Sequence, residues 1–131
     1  MGDCIFCRIV SGEIPAAKIY EDEEVMAFLD INPVRHGHAL VIPKKHYPRI
    51  EEAPDGIVST VFICAKKLMT PIRNAMNADY VALSVIGVDV NHLHIHLIPR
   101  NHDDGLASFW PTTKYSGEEM EKVRKKIESR L

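Results

Sequence analysis

The stretch "NHLHIHLIPR", residues 91–100, sets His92, His94 and His96 at alternate positions with Leu93, Ile95 and Leu97 between them. Successive side chains of a β-strand point to opposite faces, so the alternation predicts a strand with three imidazoles on one face and three aliphatic side chains on the core face. Same-face neighbours on a strand lie roughly 6 to 7 Å apart. Imidazole can ligate a metal, move a proton near neutral pH or act as a nucleophile. Alternation alone leaves three uses open: a hydrated histidine-rich face, a triple-histidine metal site of the kind found in zinc hydrolases, or a nucleophile with helpers.

Outward from this strand, "DYVALSVIG" (residues 79–87) reads as a second strand only a few residues upstream, hence an antiparallel neighbour. Before it, residues 54–77 place Ile57, Val61, Cys64, Ala65, Leu68, Ile72 and Met76 at intervals of three and four, an amphipathic helix. Asp55 is placed to cap its start, and Pro71 is expected to bend or split it. "HALVIP" (residues 38–43) suits a buried strand ended by proline. "KIYEDEEVMAFLDINP" reads as a hairpin turning at the acidic residues 21–24, and "SGEIP" (residues 11–15) as a turn. Residues 101–116 show no periodicity. "SGEEMEKVRKKIESRL" closes the sequence as a helix capped by Ser116 or Gly117, with acids early and bases late. The sum is α+β: an antiparallel sheet of about five strands with helices on one face, in a single domain over residues 1–131.

The composition, 46% hydrophobic and 26% charged in 131 residues, is that of an ordinary globular protein. With 16 Lys and Arg against 18 Asp and Glu, a net charge of -2 provides no long-range attraction to nucleic acid or an anionic membrane. Any phosphate must be captured locally. No apolar run approaches the ~20 residues that cross a bilayer, and residues 1–8 lack a basic region followed by an apolar one. Three cysteines, Cys4, Cys7 and Cys64, are too few for a disulfide scaffold, so a cytoplasmic protein is expected. Cys4 and Cys7 have the Cys-x-x-Cys spacing of a metal or redox pair. The redox version needs a thioredoxin-like βαβ setting that is not present here, and tetrahedral zinc needs two more ligands. Cys64, on the apolar side of the helix, reads as core.

"HLHIHLI" fits His-φ-His-φ-His-φ-φ, where φ is apolar. Together with "CIFCRIVSGEIPAAKIYEDEEVMAFLDINPVRHGHALVIPKKH" (residues 4–46), it resembles the histidine-triad (HIT) nucleotide-binding superfamily over about residues 3–100. The resemblance implies a HIT-like fold with one long helix and a C-terminal helix, and hydrolysis or transfer at the α-phosphorus of a purine nucleotide of the AMP type. It implies that His94 attacks phosphorus to form a nucleotidyl-histidine that water cleaves, that His96 donates to a phosphate oxygen, and that His38 contributes from a neighbouring strand. A neutral imidazole suits the first role because it meets an anionic phosphate with less repulsion than a carboxylate does.

By the same resemblance, Asp30 accepts from the ribose hydroxyls, as a carboxylate with two acceptor oxygens can. Phe6, Ile9, Phe28, Ile31 and Leu40 match the apolar walls around the base. Some bacterial-type members hold a structural zinc on residues matching Cys4, Cys7, His46 and His92, and members are generally homodimers. No cofactor is implied for the chemistry itself.

One stretch departs from the family. Many members carry a pattern like Gly-Gln-x-Val-x-His before the triad, whereas this sequence has "SVIGVDVNHLH", with Val88 at the glutamine position, Asp89 after it and a shorter loop. A carboxylate this near a bound phosphate repels it unless turned aside. The "CIFCRIVSGEIP" and "PKKH" segments resemble the Hint-like and bacterial branch, which cleaves nucleoside phosphoramidates, more than the Fhit-like branch, which cleaves dinucleoside polyphosphates. The competing functions are a polyphosphate hydrolase, a nucleotide-binding regulator with incidental hydrolysis, and a hydrolase with catalytic zinc on His92, His94 and His96.

Overall fold

The structure is a computed structural model that describes residues 3–131; Met1 and Gly2, which open the stretch read for a leader, lie outside them. Five strands, β1 (Lys18–Glu21), β2 (Val25–Leu29), β3 (Ala39–Pro43), β4 (Tyr80–Ser84) and β5 (Ile95–Arg100), form one antiparallel sheet in the order β1-β2-β3-β5-β4. β1 and β2 make the expected hairpin. Its turn is closed by Asp22, whose Oδ1 accepts from the amides of Glu24 at 2.8 Å and Val25 at 2.9 Å.

The two faces of the sheet do different things. Val25, Ala27, Ala39, Val41, Ile95 and Leu97 pack on one face against Val61, Cys64, Ala65 and Ile72 of the long helix α2 (Asp55–Ala75). Met26, Phe28, Leu40 and Ile42 face the other way and pack with Phe6 of a short helix α1 (Ile5–Val10). Strands β2 and β3 are therefore covered on both sides, which is why "VMAF" and "ALVIP" are continuous apolar runs and not alternating ones. Each large side chain so buried is worth about 1.5–3 kcal/mol relative to exposure.

Helices thus lie on both faces, not on one as expected. At six residues α1 is too short for a periodic signal, and its turn is fixed by Cys4, whose sulfur accepts from the Cys7 amide at 3.4 Å. Asp55 is the first residue of α2 and not its cap, a position held by Pro54 without a side-chain bond. Pro71 does not split α2. It and Lys67, whose carbonyl loses a donor, are exposed, so water can replace the missing bond. The helix ends where Asn77 turns left-handed at φ 51°, with Ala78 N–H returning to Arg73 O at 2.9 Å.

β5 starts at Ile95 and not at residue 91, because Leu93 N–H bonds Tyr47 O at 2.7 Å, outside the sheet ladder. The first two triad histidines lie before the strand and only His96 on it. Helix α3 (Glu119–Glu128) is capped by Glu118, not by Ser116 or Gly117, although the Ser116 amide donates to Glu119 Oε1 at 2.9 Å. Its residues are exposed. Among the described residues no helix is long and apolar enough to cross a membrane.

Gly37 positions the loop that carries His38. It has φ +95°, and a Cβ there would stand 2.6 Å from Met76 Cγ and 3.1 Å from Pro99 Cγ, so only glycine lets this loop close on the end of α2.

Candidate functional site

His92, His94 and His96 are 0%, 1% and 8% exposed, so they are interior groups and not a hydrated surface. Leu93, Ile95 and Leu97 pack in the α2-side core, as the alternation requires. His96 stands opposite Leu40 on β3 and Ser84 on β4. The His94 and His96 rings are 4.9 Å apart between centroids, closer than ideal strand spacing because His94 precedes the regular strand. The Phe6 ring meets His94 edge-on at 5.1 Å and His92 at 5.8 Å, walling off both from that side.

Hydrogen bonds assign the protons on the neutral rings. His94 Nδ1 lies 2.7 Å from the His92 carbonyl, and since a carbonyl only accepts, Nδ1 carries the hydrogen. His94 Nε2 therefore presents its lone pair. That atom is buried with no hydrogen-bond partner among the described residues. Asp89 Oδ1 lies 3.3 Å away, off the axis of that nitrogen, and as an acceptor itself it gives the lone pair no hydrogen.

His38 Nδ1 accepts from the Val34 amide at 3.1 Å, so its hydrogen is on Nε2, which donates to His96 Nδ1 at 2.9 Å. His96 is left with Nε2–H as its free donor. Burial pushes His38 below the ordinary histidine value, against the pull of Asp30, and burial with the neighbouring His94 and His38 pushes His96 the same way. Asp30 Oδ2 is 3.7 Å from His38 Nε2, and its Oδ1 accepts from the Asn32 amide at 2.9 Å.

A second cluster adjoins the first. His92 Nε2–H donates to Pro43 O at 2.9 Å, which turns the Nδ1 lone pair toward Cys4 Sγ at 3.3 Å, Cys7 Sγ at 3.6 Å and His46 Nδ1 at 3.2 Å. Cys7 Sγ is 3.3 Å from His46 Nδ1, and all four ligand atoms lie within 4.8 Å of one another. Zinc bonds of about 2.0 Å to nitrogen and 2.3 Å to sulfur give tetrahedral edges of about 3.3–3.8 Å, so this donor set fits a tetrahedral zinc in size and chemistry. Without a cation, burial and the adjacent Cys4 push the Cys7 thiol up to about 11; a bound metal ion would favour the thiolate instead. Since His92 is turned to the cysteines, His92, His94 and His96 do not form a common ligand group among the described residues. Cys64 lies apart, in the core under α2.

A sequence profile of the HIT domain matches residues 11–103. The chain belongs to the HIT family. It is 47% identical over 106 residues to an uncharacterized HIT-like protein of Methanocaldococcus jannaschii, covering 78% of this chain and 82% of that one. It is 38% identical over 133 residues to the adenosine 5'-monophosphoramidase of Schizosaccharomyces pombe, covering 98% of each. Its fold superposes on a crystal structure of a Zn-bound histidine triad family protein from Mycobacterium smegmatis with a TM-score of 0.77 at 31% identity, covering 99% of both chains.

Within this HIT chain, Phe6, Phe28 and Leu40 form one buried cluster with Met26 and Ile42, and Ile9 packs partly buried against it. Ile31, 87% exposed, stands outside that cluster. Sequence reading missed the parts supplied by backbone: the Val34 amide that sets the His38 tautomer, and the Pro43 and His92 carbonyls that set those of His92 and His94. Main-chain groups are common to all residues and leave no compositional signal. The sequence places Asp89 near the site, and the structure puts its carboxylate beside the free nitrogen of His94.

Proposed function

We propose that this HIT protein is a nucleotide hydrolase or transferase that acts at the α-phosphorus of nucleoside phosphoramidates through a nucleotidyl-His94 intermediate. The observation that carries the proposal is the state of His94: one ring nitrogen is tied to a carbonyl, and the other is buried, unpartnered and carries a free lone pair. Such an atom is costly to bury unless it meets a partner during function. The name of the Schizosaccharomyces pombe relative, which matches over the whole length, supports the reaction class.

In the proposed reaction His94 Nε2 attacks phosphorus. The P–N bond of the substrate breaks, and the leaving nitrogen takes the electron pair and one proton from solvent, so that it departs as the neutral amine. Water then attacks phosphorus and the P–Nε2 bond breaks, giving the nucleoside monophosphate, a proton and neutral His94. His96 Nε2–H donates to a non-bridging phosphate oxygen as charge builds there, and His38 holds His96 in the tautomer that can donate. Asp30 accepts from the ribose diol, and Phe6, Ile9, Phe28 and Leu40 enclose a purine, with the exposed Ile31 closing the outer side once a base is bound.

Cys4, Cys7, His46 and His92 would hold a structural zinc, which when bound ties the N-terminal segment to the start of the triad. His92 is thereby structural, and the chemistry needs no other cofactor. The same proposal includes one domain over residues 1–131, a cytoplasmic homodimer, and neither nucleic-acid nor membrane partners. The three free cysteines support the compartment. Support for the dimer comes from edge strand β4 and exposed Ile63, Leu83 and Ile86.

The test is AMP release from adenosine 5'-phosphoramidate and from a diadenosine polyphosphate, with His94→Ala as the blank and acid-quenched mass measurement of nucleotidylated protein. The expected result is release from the first and a loss of about a thousandfold or more in the mutant, with AMP binding retained. Near-wild-type turnover by His94→Ala would overturn the nucleophile assignment.

A further inference from the structure

The carboxylate of Asp89 is the charged group that stands nearest the free nitrogen of His94 among the described residues, and the proposed reaction gives it no task. Its Oδ1 is 3.3 Å from His94 Nε2, and the side chain is 63% exposed on the loop between β4 and β5. A reacting phosphorus must come to about 3–3.5 Å from the same nitrogen. Asp89 does not plug that position, because it lies off the axis of the Nε2 lone pair. It flanks the line along which phosphorus approaches and along which, opposite the nucleophile, the leaving group departs.

The surroundings strengthen the negative charge there. Asp89 lines a cavity of about 360 Å³ with Asp3, Cys4, Ile5, His46, Val90 and Asn91, and among these described residues there are two carboxylates and no lysine or arginine. Although burial opposes it, the amides of Asp89 and Val90 and the two neighbouring imidazoles hold the Asp89 carboxyl below the usual range, so it is ionised at neutral pH. A leaving phosphate or polyphosphate next to the Asp89 carboxylate is repelled, and a leaving amine with a second, protonated amino group is attracted.

We propose that Asp89 determines leaving-group specificity, favouring nucleoside phosphoramidates whose amine bears a further positive charge and disfavouring nucleotides whose leaving group is a phosphate or polyphosphate. The proposal rests on phosphoryl transfer to His94 and adds the charge of the group expelled. Between charges about 6 Å apart at a partly solvated site, the effect is about tenfold per unit charge, and salt shrinks it.

The experiment compares kcat/KM for three substrates in the full-length wild type and in Asp89→Asn. They are an adenosine 5'-phosphoramidate of a diamine with one free ammonium group, its uncharged alkyl isostere, and diadenosine triphosphate. Asparagine matches aspartate in shape at an exposed position, so the variant folds, and Asp3→Asn serves as a second variant of the same cavity. The wild type should favour the ammonium substrate over its isostere by about tenfold at low salt. In Asp89→Asn that ratio should fall toward one while the rate on the triphosphate, relative to the isostere, rises about tenfold; Asp3→Asn should shift both ratios the same way by less. Ratios unchanged in Asp89→Asn, with His94-dependent turnover of the isostere intact, overturn the role of Asp89 alone. No turnover of any of the three by the wild type overturns the phosphoryl-transfer reading as well.

Discussion

His38 and His96 form a directional pair: the Val34 amide occupies His38 Nδ1, so His38 Nε2–H donates to His96 Nδ1 at 2.9 Å and leaves His96 with its Nε2–H as a donor. A main-chain amide on the loop before β3 thereby selects which nitrogen of a histidine on β5 faces the site. Two consequences are measurable.

Replacing His38 removes the selector but not the donor. His38→Ala should lower kcat on adenosine 5'-phosphoramidate by about ten- to a hundredfold with little change in KM, because it misorients a group used in the transition state. It should also cost about 1–3 kcal/mol of stability, since the Val34 amide and His96 Nδ1 lose their partner inside the protein. His38→Gln, whose amide can donate, should recover part of kcat. An unchanged kcat in His38→Ala would remove His38 from the mechanism.

The same pair predicts a pH dependence of stability. Burial holds both His38 and His96 below the ordinary value of 6.5, so in the folded state they resist protonation. Below pH 6.5 the unfolded chain binds more protons than the folded one at these two sites, and stability falls with pH. Their contribution is fully present above about pH 6.5 and is lost progressively as pH drops from there through the lower folded-state values. Urea midpoints measured between pH 8 and 5 should fall on the acid side, and less so in a His38→Gln variant. A midpoint that is flat across this range, or one that rises on acidification, contradicts the assignment.

Metal removal should act on stability before chemistry. Cys4, Cys7, His46 and His92 surround a space of tetrahedral zinc dimensions, and His92 sits two residues from His94. Elemental analysis of the purified protein should find about one zinc per chain, and a strong chelator should lower Tm by on the order of 10 °C. Cys7→Ser should lower zinc content and Tm together. Protein that carries no zinc as isolated, binds none on titration and melts unchanged with chelator would dismiss the site.

The long-range architecture was readable because it rests on periodicity. The spacing of Val61, Cys64, Ala65, Leu68 and Ile72 predicted α2, and the turn residues Asp22 and Glu24 predicted the β1–β2 hairpin. Helix α1 escaped because six residues hold too little of a 3.6-residue period, and the cap of α2 was misplaced by one residue because Pro54 caps by backbone geometry alone. The position of Ile31 in "FLDIN" matches a pocket wall, yet its side chain is exposed and lies outside the buried clusters of the described residues.

By itself the sequence determined the alternation that puts Leu93, Ile95 and Leu97 in the core and three imidazoles on the other side, the Cys-x-x-Cys pair, and an acid at position 89. Those are local properties: side-chain chemistry and the two-residue period of an extended chain carry them without reference to the rest of the fold. Only the tertiary structure decided how each histidine is presented. The pairing of β3 with β5 brings His38 to His96, the course of residues 43–46 brings Pro43 O and His46 to His92, and the loop after β4 brings Asp89 to His94. A neutral imidazole is donor at one nitrogen and acceptor at the other, and which is which depends on the partner the fold supplies. Three residues of one type thus stand in three different hydrogen-bonding states: His92 turned to the cysteines, His94 left with an open lone pair, and His96 left with a free donor.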